Sequence, residues 1–216
     1  MGKLLQNFET FDLWKVDRED LTDFTKFVIR IFYEHHMQIP PPIDEVEACV
    51  KEDARVFNEN AHFYALKTKN GRIFGTINAY LWDRKSELEM EREYNISINE
   101  EVEKRELNPP QIWYSGRLAI DRKLINENEE LKAKQVLFFR MLITCAFLHV
   151  CTHPENLLVA EFDSKLQKTF IKLGVDSIPL SEEKFVLGSD ALPILNTGAG
   201  LQLFVDRHKH LLNYHV

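Results

Sequence analysis

The sequence predicts an α/β fold with one mixed sheet, antiparallel in its N-terminal half and parallel in a central pair of strands, with helices on its faces. A hairpin pattern around Asn70-Gly71 predicts the antiparallel part. Two apolar strands, at about 112–120 and 157–162, are joined by a helix and are therefore expected to be parallel. The 216 residues, 44% hydrophobic and 28% charged, suit a single domain over 1–216.

The N-terminal half is predicted to contain two helices, the hairpin and a charged insertion. Apolar residues recur every three or four positions from Asp17 to Met37, and a second helix is expected from Asp44 to about Phe57. Strand-forming residues from His62 to Trp82 flank Asn70-Gly71, the preferred pair for a two-residue type I′ turn. The Glu-rich segment 84–106 is predicted to form one or two exposed helices, as a solvated insertion.

The C-terminal half is predicted to alternate strands and helices. A helix from about Glu129 to Cys151 follows the 112–120 strand. An amphipathic helix that ends at Gly174 follows the 157–162 strand. Two more strands are expected in KFVLG and ALPILNT, and a last helix in AGLQLFVDRHKHLL.

Charge, apolar runs and cysteines argue against several classes of function. The net charge of −7 gives no basic field that would attract nucleic acid. The most apolar stretch, Val136–Val150, is interrupted by Arg140 and is shorter than a bilayer of ~30 Å requires, so no transmembrane segment is expected. The N-terminus lacks the apolar run of a signal peptide. Three widely spaced cysteines form no disulfide framework, which favours the cytoplasm.

Motifs of metal and nucleophile chemistry are absent from the sequence. There is no His-Glu-x-x-His and no Cys/His cluster, so no metal is expected. There is also no Gly-x-Ser-x-Gly and no phosphate-loop signature.

The order of elements and the segment GRLAID, 116–121, resemble the GNAT acyltransferase superfamily. The segment is most similar to the acyl-homoserine-lactone synthases and the N-acyl amino acid synthases, which carry an arginine followed by apolar residues on this strand. The resemblance covers the topology from roughly Asp17 to Leu203. It implies a GNAT-like sheet that splays open after the 112–120 strand.

The resemblance also implies how an acyl donor binds. The exposed backbone of Leu118, Ala119 and Ile120 would pair with the amides of a pantetheine arm. The turn that follows would receive the donor's phosphate, and Arg122 and Lys123 could supply positive charge there.

That turn departs from the usual acetyltransferase pattern, in which a Gln/Arg-x-x-Gly-x-Gly/Ala segment cradles a pyrophosphate. The segment 121–134, DRKLINENEELKAK, has no glycine, and its ENEE would repel phosphate. A donor on acyl carrier protein has one phosphate and needs less of a cradle. We therefore expect no tightly bound cofactor and, as co-substrate, a thioester of acyl carrier protein or coenzyme A.

Three residues are candidates for the chemistry. Glu161 ends a buried apolar strand, where desolvation would raise its pKa toward that of a base acting near neutral pH, unless a salt bridge holds it. Arg117 would contact donor or acceptor, or form a structural ion pair. Tyr114 stands where lactone synthases place a glutamate, and is a catalytic candidate or a core aromatic. Tyr114 and Arg117 lie three residues apart on one strand and would point to opposite faces. Their side chains can enter the same cleft only if a bulge at Gly116 redirects one of them.

A second family landmark is matched in part. The segment DSKLQKTFIKLGV lies in the frame of Asn-x-x-Ala-x-x-x-Tyr-x-x-x-Gly-Phe, with Gly174 at its glycine. Phe170 replaces the tyrosine that commonly protonates the leaving thiolate, so that role is not carried over. The apolar helix Val136–Val150 is read as core, or in part as the wall of an acyl tunnel.

The resulting hypothesis is an N-acyltransferase that moves an acyl group from a thioester to a primary amine such as an amino acid. The partners would be the acyl donor and a small amine. Two alternatives remain open. The glycine-free turn and Phe170 favour an inactive acyl-binding or protein-interaction module on the same fold, and a plain small-amine acetyltransferase is the other.

Overall fold

The fold is seen in a computed structural model that describes residues 2–186 and 189–213. Within these residues the chain forms nine strands. They are β1 Lys3–Asn7, β2 Phe11–Lys15, β3 Ala61–Thr68, β4 Ile73–Leu81, β5 Ile112–Ile120, β6 Leu157–Asp163, β7 Ile178–Pro179, β8 Lys184–Val186 and β9 Ser189–Thr197.

Helices connect and cover these strands. They are α1 Leu21–Phe32, α2 Ile43–Val56, α3 Glu89–Tyr94, α4 Ile98–Lys104, α5 Arg122–Asn126, α6 Glu129–Lys132, α7 Gln135–Val150, α8 Ser164–Lys172 and α9 Gly198–His208. A π-helical turn, Tyr33–Met37, extends α1, and a 3₁₀ turn, Lys209–Leu211, extends α9. None of the helices in the described ranges combines the length and apolarity needed to cross a membrane.

One mixed sheet contains all the strands, in the order β1-β2-β3-β4-β5-β6-β9-β7, with β8 also paired to β9. Strands β1 to β5 pair antiparallel in sequence order. β5 and β6 are parallel, because α7 crosses over between them, and β9 pairs antiparallel with β6. The predicted mixed sheet with a parallel central pair is confirmed.

Two apolar cores cover the faces of the sheet. Alternate residues of each strand enter opposite cores: on β3, Phe63 packs with α1 on one face, and Tyr64 packs with α7 on the other. α7 is apolar on most of its circumference, and ten of its residues are buried, as expected for a helix that sheet, α8 and α9 surround.

The β3–β4 hairpin forms as predicted, but its predicted turn is wrong. The Gly71 amide donates to the Thr68 carbonyl at 2.8 Å, and only Gly71 in the turn has a positive φ, +84°. A type I′ turn needs a positive φ at Asn70 too. The Thr68 hydroxyl bonds the Asn70 side chain and accepts from the Arg72 amide at 3.1 Å, which favours a wider loop ending in a left-handed glycine.

The charged segment 84–106 is not a solvated insertion. It forms α3 and α4, as the prediction of two helices allows, but their apolar residues complete the core on the α1 face. Met90 and Ile98 are fully buried, and Tyr94 and Val102 are nearly so. The many glutamates hide an apolar stripe that anchors the two helices beside the sheet.

Two further boundaries differ from the prediction. The helix predicted from Glu129 is divided, and its long part, α7, begins only at Gln135. Asn128 accepts from the amides of Glu130 and Leu131 and so starts the separate turn α6. The N-terminal hairpin of β1 and β2 was not predicted, although alternation from Phe11 to Leu13, both buried, is its signal.

Candidate active site at the split of the sheet

The central strands part at one end of the sheet. The parallel register of β5 and β6 runs from Ile112–Leu157 to Ser115–Ala160 and goes no further. β5 continues to Ile120 alongside β4, and β6 continues to Asp163 alongside β9. Beyond Ser115, the edge of β5 that faces β6 therefore has no strand partner among the described residues, and its backbone groups face a gap.

A bulge in β5 lies at the start of this gap. Three steps along β5, from Gly116 to Ala119, match two along β4, and Arg117 has a left-handed φ of +56°, which is costly for a residue with a side chain. Side chains of β4 hold the bulge. Thr76 donates to the Arg117 carbonyl at 2.9 Å, and Asn78 accepts from the Gly116 amide at 2.8 Å.

A cavity of about 410 Å³ opens at the split, a volume within the usual range of ligand sites. Side chains from both faces of the sheet line it. Its apolar side is formed mainly by Ile77, Ile143, Phe147, Leu158, Phe162 and Leu166. Its polar side is formed by α2, the α3 region and the strand ends, with Cys49, Glu52, Glu89, Arg92, Glu93, Tyr114, Arg117 and Glu161.

The structure brings Tyr114, Arg117 and Glu161 to this one cavity. The first two lie three residues apart on a strand and would point to opposite faces, but the bulge between them re-aims Arg117. The Tyr114 ring packs over Gly116, where an added Cβ would lie 3.0 Å from the ring. Burial is the main cause that raises the pKa of Tyr114, and it holds the hydroxyl neutral.

Arg117 forms a buried ion pair. Its Nε donates to Oδ1 of Asp53 on α2 at 2.9 Å, and Asp53 is only 1% exposed. The other Asp53 oxygen accepts from the Thr25 hydroxyl at 2.7 Å. Burial is the largest single influence and opposes the charge of Arg117, but Asp53 and the other acidic groups around it together outweigh burial and raise the pKa. Of the two roles predicted for Arg117, the structural ion pair is present, and the side chain also borders the cavity.

Glu161 is held in a set of acidic groups. Burial, followed by the Glu93 carboxyl that shares a hydrogen bond with it, raises the pKa of Glu161 to about 8. Burial also raises the pKa of Glu93. Among the described residues no salt bridge includes Glu161, so the alternative of a salt bridge at the strand end is wrong. A carboxyl of this kind changes charge near neutral pH.

The predicted donor-binding residues lie along the split and the turn after it. Leu118 lines the cavity, and Ala119 is buried in the core on the α1 face, so it offers only its backbone to a ligand. Arg122 and Lys123 are exposed on α5. Asp121 caps α5, because its carboxylate accepts from the Leu124 amide at 2.9 Å. An acidic side chain thus occupies the place where the turn would meet a phosphate.

The packing shows where Phe170 and the long apolar helix lie. Phe170 is fully buried and stacks on Phe162 with ring centroids 4.5 Å apart, so it belongs to the core. In the long apolar helix, Phe138 and Leu142 are core, as predicted, while Ile143 and Phe147 line the cavity. That this wall holds an acyl chain stays a prediction.

Sequence reasoning missed Asp53, Glu93 and Cys49. Asp53 follows an ordinary helical pattern, and its signal, a buried position on the inner face of α2, becomes visible only once the helix is placed. Glu93 is one of many glutamates in a segment predicted to be solvated. Cys49 lines the cavity, and burial raises the pKa of its thiol to about 11, which makes it a weak nucleophile.

Comparison with known proteins gives matches in structure. Neither protein-family models nor curated sequences match the chain. The structure resembles that of FeeM, an N-acyl amino acid synthase from uncultured soil microbes, with a TM-score of 0.58 and 15% identity over 96% of this chain and 97% of that one. It also resembles an acetyltransferase of the GNAT family from Staphylococcus aureus Mu50, with a TM-score of 0.52 and 11% identity over 86% and 98% of the two chains.

The chain has the GNAT fold. A further structural neighbour is BjaI, a CoA-dependent acyl-homoserine lactone synthase solved with SAM and isopentyl-CoA. Its TM-score is 0.53, and its identity is 16% over 89% of this chain and 83% of that one. The fold predicted from GRLAID and the order of elements is confirmed. At these identities the likeness is one of fold, so the chemistry has to be argued from the residues at the split.

Proposed function

We propose that the protein is an N-acyltransferase, which moves an acyl group from a thioester to a primary amine. The observation that carries this proposal is the split between β5 and β6, which opens onto a cavity with Glu161 in its wall. An open strand edge, an apolar pocket and a titratable carboxyl are together at one place. The GNAT fold of known acyltransferases supports the same reading.

The donor would bind along β5. Its pantetheine arm carries amides that match the open edge at Leu118, Ala119 and Ile120, as in the addition of a strand to a sheet. The acyl chain would then enter the apolar side of the cavity, beside Ile143 and Phe147. Burial of the chain there would hold the thioester carbonyl at the split, close to the polar groups.

The acceptor amine would react at Glu161. The Glu161 carboxylate takes a proton from the ammonium, and the free nitrogen attacks the thioester carbonyl. The C–N bond forms and the C–S bond breaks. The nitrogen then loses a second proton, which is relayed by water to the thiolate and gives the free thiol. Backbone amides on the open edge of β5, beyond Ser115, would stabilise the oxyanion. With Phe170 in the core, water is left to protonate the leaving group.

For the donor's carrier we favour acyl carrier protein. Asp121, which is paired with Arg30 at 3.2 Å, already occupies the helix start at the turn. The exposed Glu127, Glu129 and Glu130 follow it, so a pyrophosphate would meet negative charge. A single phosphate on a carrier protein suffers less from it. The sequence has three widely spaced cysteines, an odd number, which supports our proposal that the protein works in the reducing cytoplasm.

The test is a thioester assay with matched variants. Acyl groups of two to sixteen carbons, on coenzyme A and on acyl carrier protein, are offered with a panel of amines, and released thiol and N-acyl product are measured. Glu161→Gln should lower kcat by about 10²-fold or more, and Glu155→Gln, on an exposed loop, should not. Binding of the donor without any product would instead favour an inactive acyl-binding module, and acetyl as the preferred group a plain acetyltransferase.

A further inference from the structure

The polar lining of the cavity is strongly acidic. Two guanidinium groups line it, those of Arg92 and Arg117, and His36 is kept neutral because burial lowers its pKa. Seven carboxyl side chains also line the cavity: Glu45, Glu52, Glu87, Glu89, Glu93, Glu161 and Asp163. Glu52 is paired with Arg55 at 2.6 Å, outside the lining, and the other six still outnumber the cations. A ligand that enters meets an excess of acidic groups, which favours cations and disfavours anions.

The two guanidinium groups do little to compensate this charge. Arg117 is already paired with the buried Asp53 at 2.9 Å, so its charge is balanced from outside the cavity. Arg92 is exposed, where water screens its field. The cavity therefore has no strong partner for the carboxylate of a ligand among the described residues.

Three of the carboxyls act on one another. Glu161 shares a hydrogen bond with Glu93 and feels the charge of Glu89. No ion pair formed by the described residues includes any of the three. Like charges held together in this way are stabilised when a cation comes between them.

A buried hydroxyl beside these carboxyls points to the same kind of ligand. Tyr94 is 4% exposed, and its Oη lies next to the Glu161 carboxyl. Its hydroxyl is within hydrogen-bonding reach of Glu161 and has no other partner within the described part of the chain. Buried polar atoms are nearly always paired, and an ammonium group held at Glu161 could donate to this oxygen.

We propose that the acceptor is an aliphatic diamine or polyamine, an amine with a second positive charge and no carboxylate. This rests on the proposed acyl transfer and names its acceptor. One ammonium gives its proton to Glu161 and is acylated by the step described above. The other ammonium keeps its positive charge beside Glu89 and Glu93. It continues to balance these carboxyls after the reacting nitrogen has become neutral.

An amino acid fits the same cavity poorly. Its carboxylate would need a cation, and the sequence suggested Arg117 for that purpose. Asp53 holds Arg117 instead. The other groups near Glu161 are the carboxyls of Glu89 and Glu93 and the phenols of Tyr94 and Tyr114. An anion there adds repulsion without a partner.

The test uses three ligands with the same four-carbon chain: 1,4-diaminobutane, 1-aminobutane and 4-aminobutanoate. Their binding to the full-length protein is measured by calorimetry without a donor, at pH 8 and low salt. We expect 1,4-diaminobutane to bind about tenfold more tightly than 1-aminobutane, and 4-aminobutanoate to bind most weakly. Salt should reduce the preference, since it rests on charge.

Glu93→Gln should reduce the ratio of the affinity for 1,4-diaminobutane to that for 1-aminobutane about tenfold, while Glu155→Gln should leave this ratio unchanged. Thermal unfolding of each variant checks that it is folded. Equal affinities for all three ligands, or faster acylation of 4-aminobutanoate than of the diamine, would overturn the inference and leave acyl transfer standing. Selective diamine binding with no thioester consumed would support the cation preference and count against acyl transfer.

Discussion

The pH dependence of acyl transfer follows from the state of Glu161. Its pKa is about 8 in the free protein, because the carboxyl is buried and lies beside Glu93. At pH 7 about a tenth of the molecules hold the carboxylate, and at pH 9 about nine tenths do. Since kcat/KM reports the free enzyme, it should rise about tenfold between pH 7 and pH 9 and then level off.

The Glu161→Gln variant should behave differently. It has no carboxylate to take a proton from an ammonium, so it must bind amine that is already neutral in solution. For an amine of pKa near 10.4, the neutral fraction grows about a hundredfold between pH 7 and pH 9. The residual kcat/KM of the variant should therefore start much lower and rise about a hundredfold, with no inflection near pH 8.

The measurement is thiol release with 1,4-diaminobutane as acceptor. Reactions without amine are subtracted, because thioesters hydrolyse faster at alkaline pH. Glu155→Gln serves as the control and should follow the native profile. If Glu161→Gln and the native protein had profiles of the same shape, Glu161 would not be the proton acceptor, and the reasoning from its burial would be refuted.

Three other predictions concern stability and reactivity. Burial lowers the pKa of His149 to about 3. Its neutral form therefore stabilises the fold above pH 6.5, and this stability is lost as the pH falls. In urea unfolding, the free energy of unfolding should fall between pH 8 and pH 5 by about 2 kcal/mol more in the native protein than in His149→Gln. Asp53→Asn leaves Arg117 buried without its partner, and should lower the free energy of unfolding by about 3 kcal/mol, whereas the exposed change Glu47→Gln should have little effect. Cys49, with a thiol pKa of about 11, should react with maleimide at pH 8 about a hundredfold more slowly than an ordinary thiol. Peptide mapping by mass spectrometry measures the rate, and rapid modification of Cys49 would contradict the prediction.

Local patterns predicted most of the helices and strands. α1 and α8 follow from apolar periodicity, β3 from strand-forming residues beside Asn70-Gly71, and β5 and β6 from apolar runs. The parallel pair follows from the helix between 112–120 and 157–162. The boundaries that failed depend on side chains at a distance or in a turn. Asn128 starts a separate helical turn, and Thr68 widens a hairpin loop. Such single hydrogen bonds carry no periodic signal.

The candidate site could be predicted only in part. Glu161 was found because a carboxylate at the end of an apolar strand is unusual. The partner of Arg117 was not found, because Asp53 is 64 residues away in sequence and the sequence pattern of its helix, α2, is ordinary. Glu93 was hidden by composition: in a segment full of glutamates, nothing local distinguishes the one that faces a cavity. Contacts between distant segments decide these roles, and they require the fold.

The cavity draws its two sides from different stretches of the chain. Residues of α7 and α8, together with Leu158 and Phe162 of β6, build the end suited to an acyl chain, while α2 and the α3 region contribute most of the groups that would meet an amine. A substitution such as Phe147 to a smaller residue would lengthen one end without touching the other. In the proposed reaction, the acyl-chain length of the donor and the identity of the acceptor amine would thus be changed by different substitutions. Each specificity could evolve without the other.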